Sequence, residues 1–189
     1  ETIAQRYGAS RVIAVGQAVA DSYQPRLGSK KIDIIPNAVQ PVPEFSQEES
    51  DAARLEMAGR LVRPLLLAVG RLLPQKSYDN MLTAVDILRR QYPDFLLAIA
   101  GDGKLRDSLM EQIRTLGLET HVNMLGARGD IPRLLSAADI FVNSSQWEGL
   151  PVAVLEAMSA GLPIVATAVV DVSRVVVEGT GLVVPPHQP

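Results

Sequence analysis

The sequence predicts an α/β fold, a mainly parallel sheet with helices on both faces from about Leu65 onward. Two observations carry this. The candidate strands are short, continuous apolar runs rich in β-branched residues, as strands buried on both faces are, and they lack the apolar/polar alternation of half-exposed antiparallel sheets. Between them lie segments whose apolar residues recur at helical spacing.

In chain order the expected strands are Arg11 to Val15, Lys31 to Ile35, Leu65 to Val69, Phe95 to Ala100, Val122 to Leu125, Ile140 to Asn143, Ile164 to Ala166 and Leu182 to Val184. After the second, Pro36, Pro41 and Pro43 interrupt any regular element, so Pro36 to Phe45 reads as a linker. Ser46-Gln47-Glu48-Glu49 then has the form of a capping box opening a helix, and the third strand begins after Pro64. Met81, Ala84, Val85 and Leu88 form one core-facing helical stripe, and Leu105, Leu109, Ile113 and Leu116 another. Asp130 is placed to cap a short helix, and Asp139 closes a helix or turn before the sixth strand, with no catalytic part. Two strands ahead of the linker are too few for a core of their own. Residues 1–45 therefore read as the end of a neighbouring lobe plus a linker, and residues 46–189 as a second lobe, truncated at its end.

Composition narrows the function. A net charge of −3, with no block of like charges, argues against nucleic acid as a partner. No cysteine and only two histidines, His121 and His187, remove disulfides and make a thiolate or histidine metal site a poor expectation. No apolar run reaches the roughly 18 residues of a membrane helix, and the start at Glu1 shows neither an initiator Met nor a signal-peptide pattern. A cytoplasmic fragment is expected, with peripheral attachment to the inner face of a membrane left open. Asn143-Ser144-Ser145 matches a glycosylation sequon but ends an apolar strand, and is set aside.

The most informative motif is the Glu-x7-Glu pair of Glu148-Gly149-Leu150-Pro151 through Glu156. Pro151 is expected at the first helical position, which puts Glu148 before the helix and Glu156 within it. On a helical wheel Val154, Leu155 and Met158 share one face, while Glu156 points nearly opposite among the small residues Ala153, Ser159 and Ala160. Unpaired amides near Gly149 and Leu150 would meet an anion such as a diphosphate, and the two carboxylates could accept from sugar or ribose hydroxyls. Spacing alone equally allows a solvated helix face and a surface loop. Gly70-Arg71-Leu72-Leu73-Pro74-Gln75-Lys76-Ser77 follows a strand, where ligands of open α/β sheets bind, and Arg71 and Lys76 suit phosphate oxygens. It misses a P-loop because Gln75 stands where the second glycine would be. Gly101-Asp102-Gly103 and Gly126 follow the next two strands at the same edge; they fit close backbone approach to a ligand or plain tight turns. Gly101-Asp102-Gly103-Lys104-Leu105-Arg106 lacks the last glycine of a dinucleotide fingerprint, and no Asp-x-Asp offers carboxylates to a divalent cation.

Taken together, Ile35-Pro36-Asn37-Ala38-Val39, Val69-Gly70-Arg71-Leu72 with Lys76, Gly101-Asp102-Gly103, Ala138-Asp139-Ile140-Phe141-Val142, Glu148 to Pro151 through Glu156-Ala157-Met158, and Gly181 to Pro185 resemble, in this order, glycosyltransferase family 4. The resemblance implies the GT-B fold of two Rossmann-like lobes, and transfer of a hexosyl group from a nucleoside-diphosphate sugar with retention at the anomeric carbon. It implies the donor-binding C-terminal lobe here, with no metal or other cofactor, and an acceptor glycan or lipid-linked sugar recognised through the missing lobe. By the same resemblance Arg71 and Lys76 face the diphosphate, Glu148 the transferred sugar and Glu156 the ribose. Gly149, Leu150 and Pro151 form the helix start, with Gly70, Gly101 and Gly126 lining the donor. The catalytic set is Glu148, Arg71 and Lys76. Departures are Val170-Asp171 and Arg174, where the family often has a Gly-Gly pair and then a Glu, and Ala38 where it usually has Gly. The alternatives are a sugar-nucleotide epimerase of similar fold and a non-catalytic nucleotide-binding module. Base, sugar, acceptor and oligomeric state are not written in the residues.

Overall fold

The computed structural model describes residues 11–29, 31–169 and 172–189. The first two strands, β1 (Val12–Ala14) and β2 (Ile32–Ile34), form a small parallel sheet of their own, joined by helix α1 (Gln17–Leu27). The sequence had not announced α1, whose apolar residues are sparse and which carries Pro25 in its last turn. From Ile35 to Phe45 the chain has no helix or strand.

At Ser46 the expected capping box is complete. The Ser46 hydroxyl accepts from the Glu49 amide at 3.2 Å, and the Glu49 carboxylate accepts from the Ser46 amide at 2.8 Å, opening α2 (Gln47–Ala58). Six strands follow: β3 (Leu65–Val69), β4 (Leu96–Ala100), β5 (Val122–Gly126), β6 (Ile140–Asn143), β7 (Ile164–Thr167) and β8 (Gly181–Val184). Their helices are α3 (Tyr78–Arg89), α4 (Arg106–Leu116), α5 (Ile131–Ala137), α6 (Val152–Ser159) and α7 (Val172–Val175). All strand pairs are parallel, in the order β5-β4-β3-β6-β7-β8. The sheet thus grows one way through β4 and β5, then reverses and grows the other way from β6. The crevice between β3 and β6, at the carboxyl ends of the strands, is the switch point of such a sheet.

Successive side chains of a strand point to opposite faces, and β3 shows it. Leu65 and Leu67 pack with α2, α5, α6 and α7, while Leu66 and Ala68 pack with α3 and α4. The central runs of β3 and β4 are therefore buried on both sides, whereas at the sheet's edge β8 leaves Leu182 exposed, and in the small sheet β1 exposes Ile13 and β2 Ile34. Below the sheet's amino edge, Asp139 takes a bidentate pair from the buried Arg54, a bond from Arg63 and the Leu65 amide. Burial pushes its carboxyl up, but the Arg54 hydrogen bonds, the Leu65 amide and the two guanidinium charges outweigh this and hold it below the usual carboxylate range. Asp139 is thus a structural anchor, away from the ligand edge.

Two local expectations shift. Pro151 is not the first helical residue: at ψ 118° it is extended and caps α6, which begins at Val152, while its carbonyl accepts from the Val154 and Leu155 amides. Asp130 stands ahead of α5, but its side chain turns away from the helix amides to Arg128 and Arg133. Two guanidinium partners outcompete one amide there.

Candidate functional site

The loop after β3 and the loop after β6 meet across the switch point. In the first, a short 3-10 turn (Pro74–Lys76) turns Lys76 back over the strand end; in the second, the chain leaves Asn143 and bends before α6. Lys76 Nζ lies 2.5 Å from Glu148 Oε1, both side chains being largely buried at 17% and 11% exposure. Ser145 Oγ donates to the same oxygen at 2.8 Å, and Gln75 Nε2 donates to Glu148 Oε2 at 3.2 Å. Further bonds lock the two loops: Gln146 amide to Gln75 carbonyl at 2.8 Å, and Ser144 Oγ to the Lys76 carbonyl at 2.7 Å. Tyr78 sits beneath, fully covered, its hydroxyl donating to the Gly70 carbonyl at 3.3 Å; burial, and then the charge of Glu148, push its phenol well up, so it stays protonated.

The three glycines stand at neighbouring strand ends. The Gly70 amide donates to Ala100, and the Gly101 amide donates to the Gly126 carbonyl at 2.8 Å. A Cβ on Gly101 would lie 1.9 Å from the Gly70 carbonyl oxygen, so no other residue fits where these turns cross. Arg71 is exposed, and among the described residues its side chain makes no hydrogen bond or ion pair, Lys76 included; its carbonyl accepts from the Leu73 amide at 2.9 Å.

Glu156 lies in the second turn of α6, half-buried, with no side-chain partner among the described residues; burial raises its carboxyl above the ordinary value. The space expected beside it is partly taken. Ser159 accepts from the Val42 amide of the linker at 3.2 Å, and Ala153 and Ala160 pack against the core. Before α6, Gly149 packs on Val15 and on Val19 of α1, and the Leu150 carbonyl accepts from Asn37 Nδ2 at 2.7 Å. The amides of Gly149, Leu150, Val152 and Ala153 have no protein acceptor among the described residues. Val170 and Asp171 lie outside the described residues, and Arg174 is exposed on α7, lining a cavity of about 340 Å³ with Gly16, Gln17, Pro36 and Leu150.

Gln75, Ser145 and Tyr78 were not singled out in the sequence. Gln75 registered only as the residue that spoils a P-loop, and nothing in one sequence links it to Glu148, 73 positions on. Among the described residues no three His, Cys, Asp or Glu side chains form a metal-ligating cluster, and no helix is long and apolar enough to cross a membrane.

Residues 57–189 match the family described as glycosyl transferases group 1. The chain belongs to that family. Among curated proteins it is 37% identical over 142 residues to the UDP-Gal:alpha-D-GlcNAc-diphosphoundecaprenol alpha-1,3-galactosyltransferase of Escherichia coli, covering 72% of this chain and 36% of that protein. It is 34% identical over 151 residues to the alpha-D-kanosaminyltransferase of Streptomyces kanamyceticus, covering 77% and 39%. This glycosyltransferase chain thus spans between a third and two fifths of the length of these two relatives. Among solved structures, Anabaena Alr3699/HepE in complex with UDP and glucose superposes with a TM-score of 0.87 at 28% identity, over 98% of this chain and 52% of that one. The Rossmann-like parallel sheet with helices on both faces is accordingly that of one lobe of a GT-B glycosyltransferase.

Proposed function

We propose that residues 46–189 are the donor-binding lobe of a retaining, metal-independent hexosyltransferase of glycosyltransferase family 4, that residues 1–45 close its acceptor lobe, and that the acceptor is a glycan or lipid-linked sugar held by that lobe. The observation that carries this is the meeting of Lys76 and Glu148 at the switch point, next to amides that have no protein acceptor. Similarity to a protein solved with UDP and glucose supports a nucleotide-sugar donor.

The chemistry follows from where charge develops. Breaking the anomeric bond moves negative charge onto the departing diphosphate and positive charge onto the sugar ring. Lys76 has two ammonium hydrogens beyond the one on Glu148, Arg71 has a guanidinium with no partner among the described residues, and the amides at the start of α6 lie at the positive end of its dipole. Donors fixed before reaction stabilise the leaving group more than the ground state. Glu148, held near the sugar, orients a hydroxyl and faces the developing ring charge; Glu156 takes the ribose hydroxyls.

A thermal-shift panel with UDP, GDP, ADP and their sugars tests this. A ligand at about 100 times its Kd adds roughly 2.7 kcal/mol, a rise of about 5 to 11 °C for a chain this size. No shift with any of them would refute the donor-lobe reading.

A further inference from the structure

Glu148 is restrained on both carboxylate oxygens before any ligand arrives. Oε1 accepts from Lys76 Nζ and Ser145 Oγ, and Oε2 accepts from Gln75 Nε2. A carboxylate has about four lone-pair sites, so among the described residues three are filled and one, on Oε2, is open. The restraining groups are themselves fixed. The Gln75 amide nitrogen has two hydrogens, and its other bond goes to the Trp147 carbonyl at 2.8 Å, so both are engaged. Ser145 is fully buried; its amide donates to Asn143 Oδ1 at 3.1 Å, and its carbonyl accepts from Thr167 Oγ1 at 2.5 Å, which ties it to the end of β7.

We propose that Gln75 and Ser145 are positioning residues, which hold Glu148 so that its one open acceptor site, on Oε2, faces the donor sugar. This rests on the donor-lobe reading above. Lys76 alone would leave the carboxylate free to turn about its last torsion, because a single ammonium is a point charge without angular preference. Gln75 fixes the second oxygen and, through Trp147, the backbone that carries it. Both amide hydrogens of Gln75 and the hydroxyl hydrogen of Ser145 are already committed, which leaves neither side chain a donor for a diphosphate, so each acts on the sugar's contribution to binding and not on the nucleotide's.

The test is calorimetry of this chain with UDP, GDP, UDP-glucose, UDP-galactose and GDP-mannose. The quantity read is the factor by which the sugar tightens binding over the matching diphosphate. Gln75→Met keeps the length of a half-exposed side chain and removes its amide. It is expected to lower that factor about 5- to 10-fold for the best-binding sugar, while the diphosphate Kd stays within about twofold. Ser145→Ala should do the same, and Ser145→Thr, which restores a hydroxyl, should recover most of the loss. If the buried Ser145 variants do not fold, Gln75→Met decides alone. Equal weakening of diphosphate and sugar conjugate, an unchanged sugar factor, or no sugar factor in the wild type would overturn the positioning roles and leave the donor-lobe reading standing. Binding of none of the five probes would sink that reading, and this inference with it.

Discussion

Lys76 and Glu156 differ in what the protein has already given them. Lys76 is paired, and a diphosphate would add to its contacts; Glu156 is half-buried with no side-chain partner among the described residues, and burial alone raises its carboxyl. Lys76→Ala should raise the Kd of a nucleoside diphosphate roughly 10- to 150-fold by calorimetry, since charge-assisted bonds contribute about 1.5 to 3 kcal/mol. The same substitution removes a partner of Glu148, so some of its effect will appear in stability. For Glu156 the two readouts should move oppositely. An acid whose folded pKa is raised stabilises fully below its unfolded value and loses this as pH rises through the folded value, so at neutral pH its ionisation works against folding. Glu156→Gln should therefore raise the melting temperature at neutral pH, where the carboxylate is ionised, flatten that part of the pH dependence, and weaken a nucleoside diphosphate and its sugar conjugate alike. A melting temperature unchanged across pH would remove the effect of burial on this carboxyl, and intact nucleotide affinity would remove the ribose role.

Elements were legible where the signal is local. All eight strands stand where apolar runs placed them, and for the central β3 and β4 the reason is that a strand buried on both faces must be apolar throughout. The capping box at Ser46 is equally local, four residues from Ser46 to Glu49 in one turn. Ser46→Ala should cost about 1 kcal/mol in denaturant unfolding, and the Glu49 carboxylate, now held low by the Ser46 amide and hydroxyl, should titrate closer to its ordinary value. What stayed hidden was what needs a second element. Helix α1 has few apolar residues because only Ala20 and Leu27 are buried in it. Asp130 looked like a cap until Arg128 and Arg133 were seen beside it. The Glu148 site was half legible: its own loop and Lys76 were visible, whereas Gln75 and Ser145 act through contacts that no periodicity announces.

For the whole molecule, strand order is the fact the sequence could not supply, and it places the site. The reversal between β3 and β6 brings loops some seventy residues apart to one crevice. Ahead of the linker lie only two described strands, so on the proposed donor-lobe reading this chain is expected to bind donor without transferring sugar. Alone it leaves the sugar facing solvent and lacks an oriented acceptor hydroxyl, and with it the proximity contribution to the barrier. Incubation with the best-binding nucleotide sugar and candidate acceptors, followed by mass, checks this. Transfer at the rate of a protein carrying a complete first lobe would place the whole catalytic apparatus within these 189 residues.

The bond from Asn37 to the Leu150 carbonyl bears on how such lobes can be recombined. Asn37 lies in the stretch without regular structure, nine residues ahead of the α2 cap, where a designer of hybrid enzymes would be free to splice. A splice at Ser46 would discard it and leave that carbonyl, two residues beyond Glu148, without its donor; one before Asn37 would carry the tie along. Two hybrids of one pair of parents, differing only in that junction, should therefore differ in kcat with the donor's KM little changed. The graftable unit begins with an asparagine outside the sheet it serves.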